Sequence, residues 1–349
     1  MRNLRLGYIV ILVSLLLVLT ACNDEESDLR SQPVKETSFL LGTVVNLTVY
    51  DKDSEATVDE AIAMIDQYEQ LLSDEIETSE VSQINQQAGI NPVKVSEEVF
   101  QLIEDSIDYG ELSNGGFDIT VGPLTNLWRI GYDDARKPSD EEITEVLAII
   151  DHQSIVLDEE NQTVFLPEEA MELDLGAIAK GYISDRVNEL FDEAGVTTAI
   201  IDLGGNIYVK GNRPTGTPWT VGVQNPFLGR GELIGRIEAV DKSVVTSGIY
   251  ERYLEVDGET YHHLLDPDTG YPFDNTIAGV TIVSETSVQG DALSTAVFAN
   301  GVNGGKEIIE SLEEVEAIFV TKDQEVILTS GLVDQFELLN EQFTIIEEE

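Results

Sequence analysis

The stretch Asp174–Tyr182, with the sequence DLGAIAKGY, indicates how this chain folds around its candidate site. A carboxylate and a glycine precede an apolar run at helical spacing, and Gly195 ends that run. The pattern predicts a strand, a tight turn and a helix. A helix N-terminus offers unpaired N–H groups and a partial positive charge, which suit a phosphate, and Lys180 adds a full charge. An Asp cap, a glycine turn and a solvated lysine explain the same residues without a ligand.

Acidic residues dominate the composition. The 349 residues include 67 acidic and 19 basic side chains, which give a formal net charge of −48, and 42% of the residues are hydrophobic. This length and apolar content are enough for one large domain or two modest ones. We expect no nucleic-acid partner, because nucleic-acid phosphates need Lys and Arg. The charge fits either a salty or alkaline habitat or simple solvation, and a bound cation would relieve it at an anionic substrate.

The N-terminus resembles a bacterial lipoprotein signal. Two arginines precede the apolar run Tyr8–Leu19, which is too short for an ordinary membrane-spanning helix. The run ends in LTAC, and the last of these residues, Cys22, is the only cysteine. We expect residues 1–21 to be a signal peptide and Cys22 to carry lipid, which would anchor the protein to the extracytoplasmic face of the cell membrane. An ordinary signal peptide and an uncleaved anchor are the alternatives.

Beyond this signal, composition divides the chain into a tether, a large domain and a tail. Residues 22–37 are polar and acidic, and predict a flexible tether. Residues 38–335 contain the periodic apolar segments and predict the folded domain, whereas residues 336–349 predict an acidic C-terminal tail. Helices and strands are mixed without a regular βαβ alternation. The predicted class is therefore α+β, with mixed helices and antiparallel-rich sheets.

Local patterns predict the elements of the domain. Alternating apolar residues predict a strand within Ser38–Tyr50, and Asp257-Gly258 predicts a hairpin turn. Serines at 79, 96 and 139 predict the starts of three helices. Further helices are predicted over 59–72, 183–194, 289–298 and 306–312, and further strands over 199–203, 207–209, 219–223, 233–237, 243–246, 277–283, 316–321 and 325–328.

Asp291 and Thr295 are candidates for metal binding. They lie four residues apart on a predicted helix, so their side chains share one face and offer two hard oxygen ligands. Mg²⁺ prefers such oxygens and usually keeps waters or substrate phosphates. A backbone carbonyl from an irregular turn, such as that of Ala177, could complete the protein ligands. Capping and surface decoration of a helix explain the same pair without a metal.

Two of the three histidines, His262 and His263, stand together before a turn rich in Asp, Pro and Gly. This sequence places imidazole and carboxylate groups at a strand end, where a histidine can act as a base near neutral pH. A polar strand end followed by a turn is an equally good explanation. Zinc is not expected, because His152 is the only other histidine and there is no cysteine partner.

Taken together, six segments resemble the ApbE family, the FAD:protein FMN transferases. They occur in the family's order between about Phe39 and Leu328, and no single one would be specific. The segments are LGT at 41–43, GFD at 116–118, DLGAIAKG at 174–181, GGN at 204–206, HLLDPDTG at 263–270 and DALST at 291–295. The resemblance implies an ApbE-like, T-fold-related single large domain.

The resemblance also implies an activity and a role for each matching residue. The family cleaves the pyrophosphate of FAD with Mg²⁺, transfers FMN to a Thr or Ser hydroxyl of a target protein and releases AMP. Carried over, Ala177 would bind Mg²⁺ through its carbonyl, and Asp291 and Thr295 through their side chains. His263, in proton transfer, and Asp291 would be the catalytic residues. The FAD contacts would come from Leu41, Gly116, Phe117, Asp118, Asp174, Lys180 and Leu264.

The chain departs from the family pattern at two positions. Leu41 stands where many members have Met, which is a tolerable apolar exchange. Glu75 stands where many members have a Tyr that stacks on the flavin, so that contact is either lost or supplied from elsewhere, for example by Phe117 or Tyr250. Two alternatives to the transferase therefore stay open. One is an FAD pyrophosphatase in which water replaces the target hydroxyl, and the other is a non-catalytic flavin-binding lipoprotein.

Overall fold

Helices and strands follow one another irregularly along the chain. The computed structural model describes residues 29–229 and 231–346. The helices are α1 (Glu55–Leu72), α2 (Glu80–Gln86), α3 (Glu97–Leu112), α4 (Gly122–Trp128), α5 (Asp140–Leu147), α6 (Ala179–Glu193), α7 (Ser287–Ala299) and α8 (Gly301–Glu310), with 3₁₀ turns at His152–Ser154 and Ser330–Leu332.

The strands of the described residues form one large sheet and three small ones. They are β1 (Leu29–Leu40), β2 (Thr43–Asp51), β3 (Val93–Lys94), β4 (Val156–Asp158), β5 (Thr163–Phe165), β6 (Ala199–Leu203), β7 (Asn206–Lys210), β8 (Trp219–Gln224), β9 (Leu233–Ala239), β10 (Lys242–Gly248), β11 (Tyr253–Val256), β12 (Glu259–His262), β13 (Ile277–Ser284), β14 (Glu316–Thr321), β15 (Glu325–Leu328), β16 (Glu337–Leu338) and β17 (Thr344–Ile345).

The large sheet has nine strands in the order β1-β2-β6-β7-β10-β13-β14-β15-β17. Its neighbours pair antiparallel except for β15 and β17, which pair parallel. The small sheets are β11-β12, β16-β9-β8 and β3-β5-β4. The predicted α+β class with antiparallel-rich sheets is confirmed.

The two faces of the large sheet have different covers. Helices α1, α6 and α7 pack on one face, against residues such as Leu47 and Ile201. On the other face, Ile234 and Ile237 of β9 pack against Val244 of β10. Alternate residues of a strand point to opposite faces, so each central strand contributes to both cores. The helical face is the one that carries the candidate site described below.

The predicted tether is wrong over the part that the structure describes. Residues 29–37 belong to β1, which pairs with β2 at the edge of the large sheet. An edge strand with one exposed side needs few apolar residues, so its composition resembles that of a linker. Residues 22–28, Cys22 and the predicted signal peptide lie outside the described residues. Among the residues that are described, no helix is long and apolar enough to cross a membrane.

The single strand predicted within Ser38–Tyr50 is a hairpin. Leu41 and Gly42 have φ angles of 56° and 64°, and this left-handed turn separates β1 from β2. Glycine adopts such angles without strain, whereas Leu41 does so at some cost. The strand prediction recognised the alternation of β2, but not the turn before it.

The predicted acidic tail is also wrong as far as residue 346. Phe336 and Phe343 are buried in the core between the large sheet and the β8–β9 hairpin. In addition, β16 pairs with β9, and β17 pairs with β15. The apolar residues between the acidic ones therefore extend the fold. Residues 347–349 lie outside the described part of the chain.

Candidate active site

The turn before α6 is shaped by Asp174. Its Oδ1 accepts a hydrogen bond from the Gly176 backbone N–H at 2.8 Å, and its Oδ2 accepts one from the Thr125 hydroxyl at 2.9 Å. The Asp174 N–H donates to the Ile119 carbonyl at 2.8 Å. The predicted turn and helix are present, and the Asp174 carboxylate holds the turn in place. The predicted strand is wrong, because the residues before the turn form only an isolated bridge between Glu172 and Val121.

Helices α6 and α7 touch at Gly181. The Gly181 N–H donates to Asp291 Oδ2 at 2.8 Å, although a regular helix would direct it to the Ala177 carbonyl one turn earlier. A Cβ at residue 181 would lie only 2.3 Å from the Ser287 carbonyl oxygen, so only glycine permits this approach. As a result, the Ala177 carbonyl receives no backbone hydrogen bond from the described residues.

Lys180 links the turn to the carboxylate. Its ammonium donates to the Gly176 carbonyl at 2.9 Å and lies 3.5 Å from Asp291 Oδ1. Asp291 is 4% exposed, whereas the Lys180 side chain is 29% exposed. The Lys180 ammonium therefore reaches solvent, where an anion can approach it, and the buried Asp291 carboxylate offsets part of its charge.

Three oxygens near Gly181 are suited to a hard cation. Asp291 Oδ1 pairs only with the Lys180 ammonium, at 3.5 Å, among the bonds described above, and the Ala177 carbonyl receives no backbone N–H there. Thr295 lies one turn further along α7 and is half-buried. Within the same residues, no group of three or more His, Cys, Asp or Glu side chains could hold a metal. A metal here would therefore need the mixed set of one carboxylate, one hydroxyl and one carbonyl, which is compatible with Mg²⁺.

His263 lies directly after β12 and is fixed by Arg252. Its Nδ1 is 3.2 Å from the Arg252 carbonyl oxygen, and its backbone N–H donates to the same oxygen at 3.1 Å. A carbonyl can only accept, so Nδ1 carries the proton and Nε2 is the free acceptor. Burial lowers the pKa of His263 to about 3, and the charges of Arg252 and Lys180 act in the same direction. The imidazole is therefore neutral at pH 7.

His262 has a different environment from its neighbour. It is buried, its Nε2 lies 3.2 Å from the Phe273 carbonyl oxygen, and its ring meets Phe298 edge-on. Burial lowers its pKa to about 4. Leu264, predicted to contact FAD, has a buried side chain in the apolar cluster around Phe298.

The turn that contains Leu41 lies beside two other predicted segments. The Leu41 N–H donates to Glu69 Oε1 at 2.8 Å near the end of α1. A Cβ at Gly204 would lie 2.3 Å from the Thr43 hydroxyl oxygen, so the LGT and GGN segments are in contact. The fold therefore brings these two motifs together at one end of β2 and β6.

The GFD segment is more buried than the resemblance implies. The Phe117 ring is 1% exposed and packs edge-on against Tyr109, so the suggestion that this ring stacks on a flavin is wrong. Asp118 accepts hydrogen bonds from Thr120 at Oδ1 and from His152 at Oδ2, and its side chain is 5% exposed. A Cβ at Gly116 would lie 2.6 Å from the Ala299 Cβ. Only the backbone of this segment is left for a ligand.

Acidic residues line a cavity of about 320 Å³ near Asp174. The residues around it include Asp74, Glu75, Glu77 and Glu172. Burial, reinforced by the negative charge of Asp174, raises the pKa of Asp74 to about 7. The acidic side chains around this cavity concentrate part of the negative charge of the chain at one place.

Sequence reasoning missed an exposed aromatic ring next to Glu75. Tyr132 lies in the loop after α4 and is 44% exposed, and burial and the negative charge of nearby Glu75 raise its pKa. The guanidinium of Arg129 lies 4.3 Å from the ring centroid. Tyr250, the other aromatic suggested from the sequence, is half-buried beside Gly248. No local pattern could have placed Tyr132 here, because the loop arrives from a distant part of the chain.

Comparison with known proteins identifies the family. A model of the ApbE family matches residues 41–319. This chain belongs to the ApbE family. A protein of Klebsiella pneumoniae (strain 342) named FAD:protein FMN transferase is 41% identical over 310 residues, which cover 89% of this chain and 96% of that protein. A Treponema pallidum protein of the same name is 33% identical over 334 residues, 90% of this chain and 92% of that protein.

A solved structure from the ApbE family has the same architecture. The crystal structure of the ApbE protein from Thermotoga maritima superposes with a TM-score of 0.78 at 32% sequence identity. The superposition covers 86% of this chain and 98% of that one. The single large domain of the ApbE family therefore accounts for nearly all of the described fold.

Proposed function

We propose that this chain transfers FMN from FAD to a Thr or Ser hydroxyl of a target protein and releases AMP, with Mg²⁺ bound where α6 and α7 meet at Gly181. The observation that carries the proposal is the contact between α6 and α7, which places Lys180 and the Asp291 carboxylate together beside Ala177 and Gly181. Family membership and the names of the relatives support the FMN transfer. The oxygen chemistry of Ala177, Asp291 and Thr295 supports Mg²⁺.

The charges of the site suit a pyrophosphate. When bound, Mg²⁺ would neutralise part of the phosphate charge that this acidic protein otherwise repels. Lys180 and the N–H groups at the start of α6 would orient the phosphates. The acceptor oxygen forms a bond to the FMN phosphorus, and the bond from that phosphorus to the bridging oxygen breaks. AMP leaves with the bridging oxygen, and this exchange depends on positioning and charge stabilisation.

His263 is the residue that would take the acceptor proton. The Arg252 carbonyl holds the proton of the neutral ring on Nδ1, which leaves Nε2 free to accept the hydroxyl proton. A pKa near 3 makes a weak base, but the negative charge of a bound pyrophosphate would raise it. The imidazole is thus oriented before FAD arrives and becomes more basic when FAD is bound.

The test is to incubate the protein with FAD, Mg²⁺ and a Thr-bearing acceptor, and to measure AMP and the acceptor mass together. We expect fast AMP release with an acceptor heavier by one FMN, because a positioned hydroxyl outcompetes bulk water. An acceptor whose Thr is replaced by Val is the control and should stay unlabelled. AMP release that ignores the acceptor would support the pyrophosphatase, and tight FAD binding without AMP under any condition would support the flavin-binding lipoprotein.

We also propose that Cys22 carries lipid and holds the protein on the extracytoplasmic face of the cell membrane. The support is the sequence before Cys22 alone. Cys22→Ser should release the protein from the membrane fraction or leave its precursor uncleaved, as judged by fractionation and intact mass. A Cys22→Ser protein that is still mature and membrane-bound would contradict this.

A further inference from the structure

Helices α6 and α7 hold each other by two carboxylates. Asp185 of α6 accepts hydrogen bonds from the Ser287 and Val288 backbone N–H groups at 2.7 and 2.8 Å. In the opposite direction, Asp291 of α7 accepts from the Gly181 N–H of α6 at 2.8 Å. Asp185 lies one helical turn after Gly181, and Asp291 lies one helical turn after Ser287. Each helix therefore donates from its first turn and accepts through a carboxylate one turn later. The contact is therefore reciprocal.

Neither helix has a cap of its own. The residues before the first turns, Ile178 for α6 and Thr286 for α7, make no side-chain hydrogen bond to the helix N–H groups. Helix starts leave several N–H groups unpaired, and a side-chain oxygen of the preceding residue usually satisfies one of them. Here, a charged oxygen from the other helix does so, and such charge-assisted bonds are stronger than neutral ones.

The geometry of the candidate metal oxygens depends on this exchange. Because Asp291 Oδ2 takes the Gly181 N–H, the Ala177 carbonyl is free and Asp291 Oδ1 faces Lys180. The close approach of Gly181 to Ser287 leaves no room to slide one helix along the other. A shift in the first turn of α7 would thus move Asp291 and Thr295 together.

We propose that Asp185 is a positioning residue of the active site, which holds the first turn of α7, and with it Asp291 and Thr295, against the turn that contains Ala177. The inference rests on the proposed function for what those oxygens do. Asp185 touches neither metal nor substrate. It acts through the backbone of Ser287 and Val288, and nothing in the ApbE resemblance assigns it a role.

Asp185→Asn is the main test, because it keeps the shape but replaces one acceptor oxygen with a donor and removes the charge. Changing a residue that orients metal ligands typically costs 10–100-fold in metal affinity or activity. We expect kcat to fall by about 10–100-fold and the Mg²⁺ concentration for half-maximal rate to rise by about 10-fold or more. FAD affinity without Mg²⁺ should change less than about twofold, because Asp185 does not contact the substrate.

A second readout needs no catalysis. In the protein without FAD or Mg²⁺, hydrogen exchange of peptides that contain Gly181 should be faster in Asp185→Asn, because the Asp291 contact loosens with α7. Asp192→Asn is the matched control. Asp192 also lies on α6 and pairs with Lys210 at 2.6 Å, but at the far end of the helix. It should leave the rate, the Mg²⁺ requirement and the exchange of Gly181 unchanged.

The outcomes separate the inference from the proposed function. An Asp185→Asn protein that melts earlier but keeps its kcat, Mg²⁺ requirement and Gly181 exchange would overturn the positioning role. If Asp185→Asn does not fold, Asp185→Glu is used. Asp185→Glu keeps the charge, but its side chain is longer by one methylene and should displace the first turn of α7. An unchanged Mg²⁺ requirement in Asp185→Glu would therefore also overturn the positioning role. If wild type only hydrolyses FAD, AMP release is followed instead. If wild type neither transfers FMN nor hydrolyses FAD, the proposed function is contradicted, while the hydrogen-exchange result still decides the role of Asp185.

Discussion

The two faces of the nine-stranded sheet are built from the same strands but differ in what covers them. On the face covered by β8 and β9, apolar side chains such as Ile234 and Ile318 interlock, and the backbone polar groups of β8 and β9 pair with each other. On the helical face, two helix starts meet at Gly181, and their N–H groups need partners from side chains. A helix cover creates unpaired groups that a strand cover does not.

The comparison indicates why the candidate site lies where it does. Asp291 is buried on the helical face, where the start of α6 engages its Oδ2 through the Gly181 N–H and leaves Oδ1 to face Lys180. A polar side chain on the face covered by β8 and β9 would find no unpaired helix N–H groups to bind. Substitutions on the two faces should therefore separate activity from stability.

The largest effect is expected for Asp291→Ala. This change removes the only carboxylate of the oxygen set and also the partner of the Gly181 N–H. Loss of several kcal/mol of transition-state charge stabilisation lowers the rate by about a thousandfold or more. The measurement is the rate of acceptor labelling at saturating FAD, with circular dichroism to check folding. Asp291→Asn keeps an oxygen that can accept the Gly181 N–H but lacks the negative charge. A labelling rate near that of wild type in Asp291→Asn would show that this hydrogen bond, and not the charge, determines the rate.

The two adjacent histidines give the next largest effect. His263→Ala should lower acceptor labelling by about 100-fold, because proton transfer by a positioned base contributes 10²–10⁴. FAD affinity should change little. His262→Ala is the neighbouring control, since its buried ring packs on Phe298 and its loss should lower the melting temperature. Equal losses of labelling rate per folded molecule in both variants would contradict a proton-transfer role specific to His263.

A substitution on the strand-covered face should affect stability alone. Ile234 is fully buried between β9 and the large sheet. Ile234→Ala leaves a cavity, and we expect the free energy of unfolding to fall by about 2–5 kcal/mol in urea titrations. The labelling rate per folded molecule should stay at the wild-type value. A large fall in that rate would mean that the two faces are coupled.

The smallest effect is a dependence of stability on pH at Asp74. Its pKa rises from 3.8 to about 7 on folding, so the folded state holds a proton that the unfolded state releases between these values. Stability from this group is therefore present below pH 4 and is lost as pH rises to 7. Asp74→Asn should raise the melting temperature above pH 7 and have no such effect near pH 4. A gain that does not vary with pH would contradict the raised pKa.

Local signals accounted for much of the fold. Ser79, Ser96 and Ser139 were predicted to begin helices, and each accepts a hydrogen bond from a backbone N–H of the first turn. Such caps involve residues three positions apart and can be read from a short window. The α+β class and the hairpin at Asp257-Gly258 were predicted correctly for the same reason.

The failures came from contacts between distant residues. Residues 29–37 are a strand because β2 lies beside them, and the tail to residue 346 folds because β9 and β15 accept it. The role of Asp185 depends on the first turn of α7, about a hundred residues further along the chain, so no local pattern points to it. The motif residues of the site could be named from the resemblance, but the hydrogen bond that frees the Ala177 carbonyl could not.

The reciprocal contact between α6 and α7 also makes the site a late product of folding. Its two sets of hydrogen bonds join residues 110 and 102 positions apart. Such non-local contacts carry a loop-closure cost that local helices do not, so we expect the helices to form before these bonds. A nascent chain that has reached Glu193 can hold α6 but not the Asp291 oxygens. The ability to bind a metal at this point would therefore appear only when the two halves of the domain have docked.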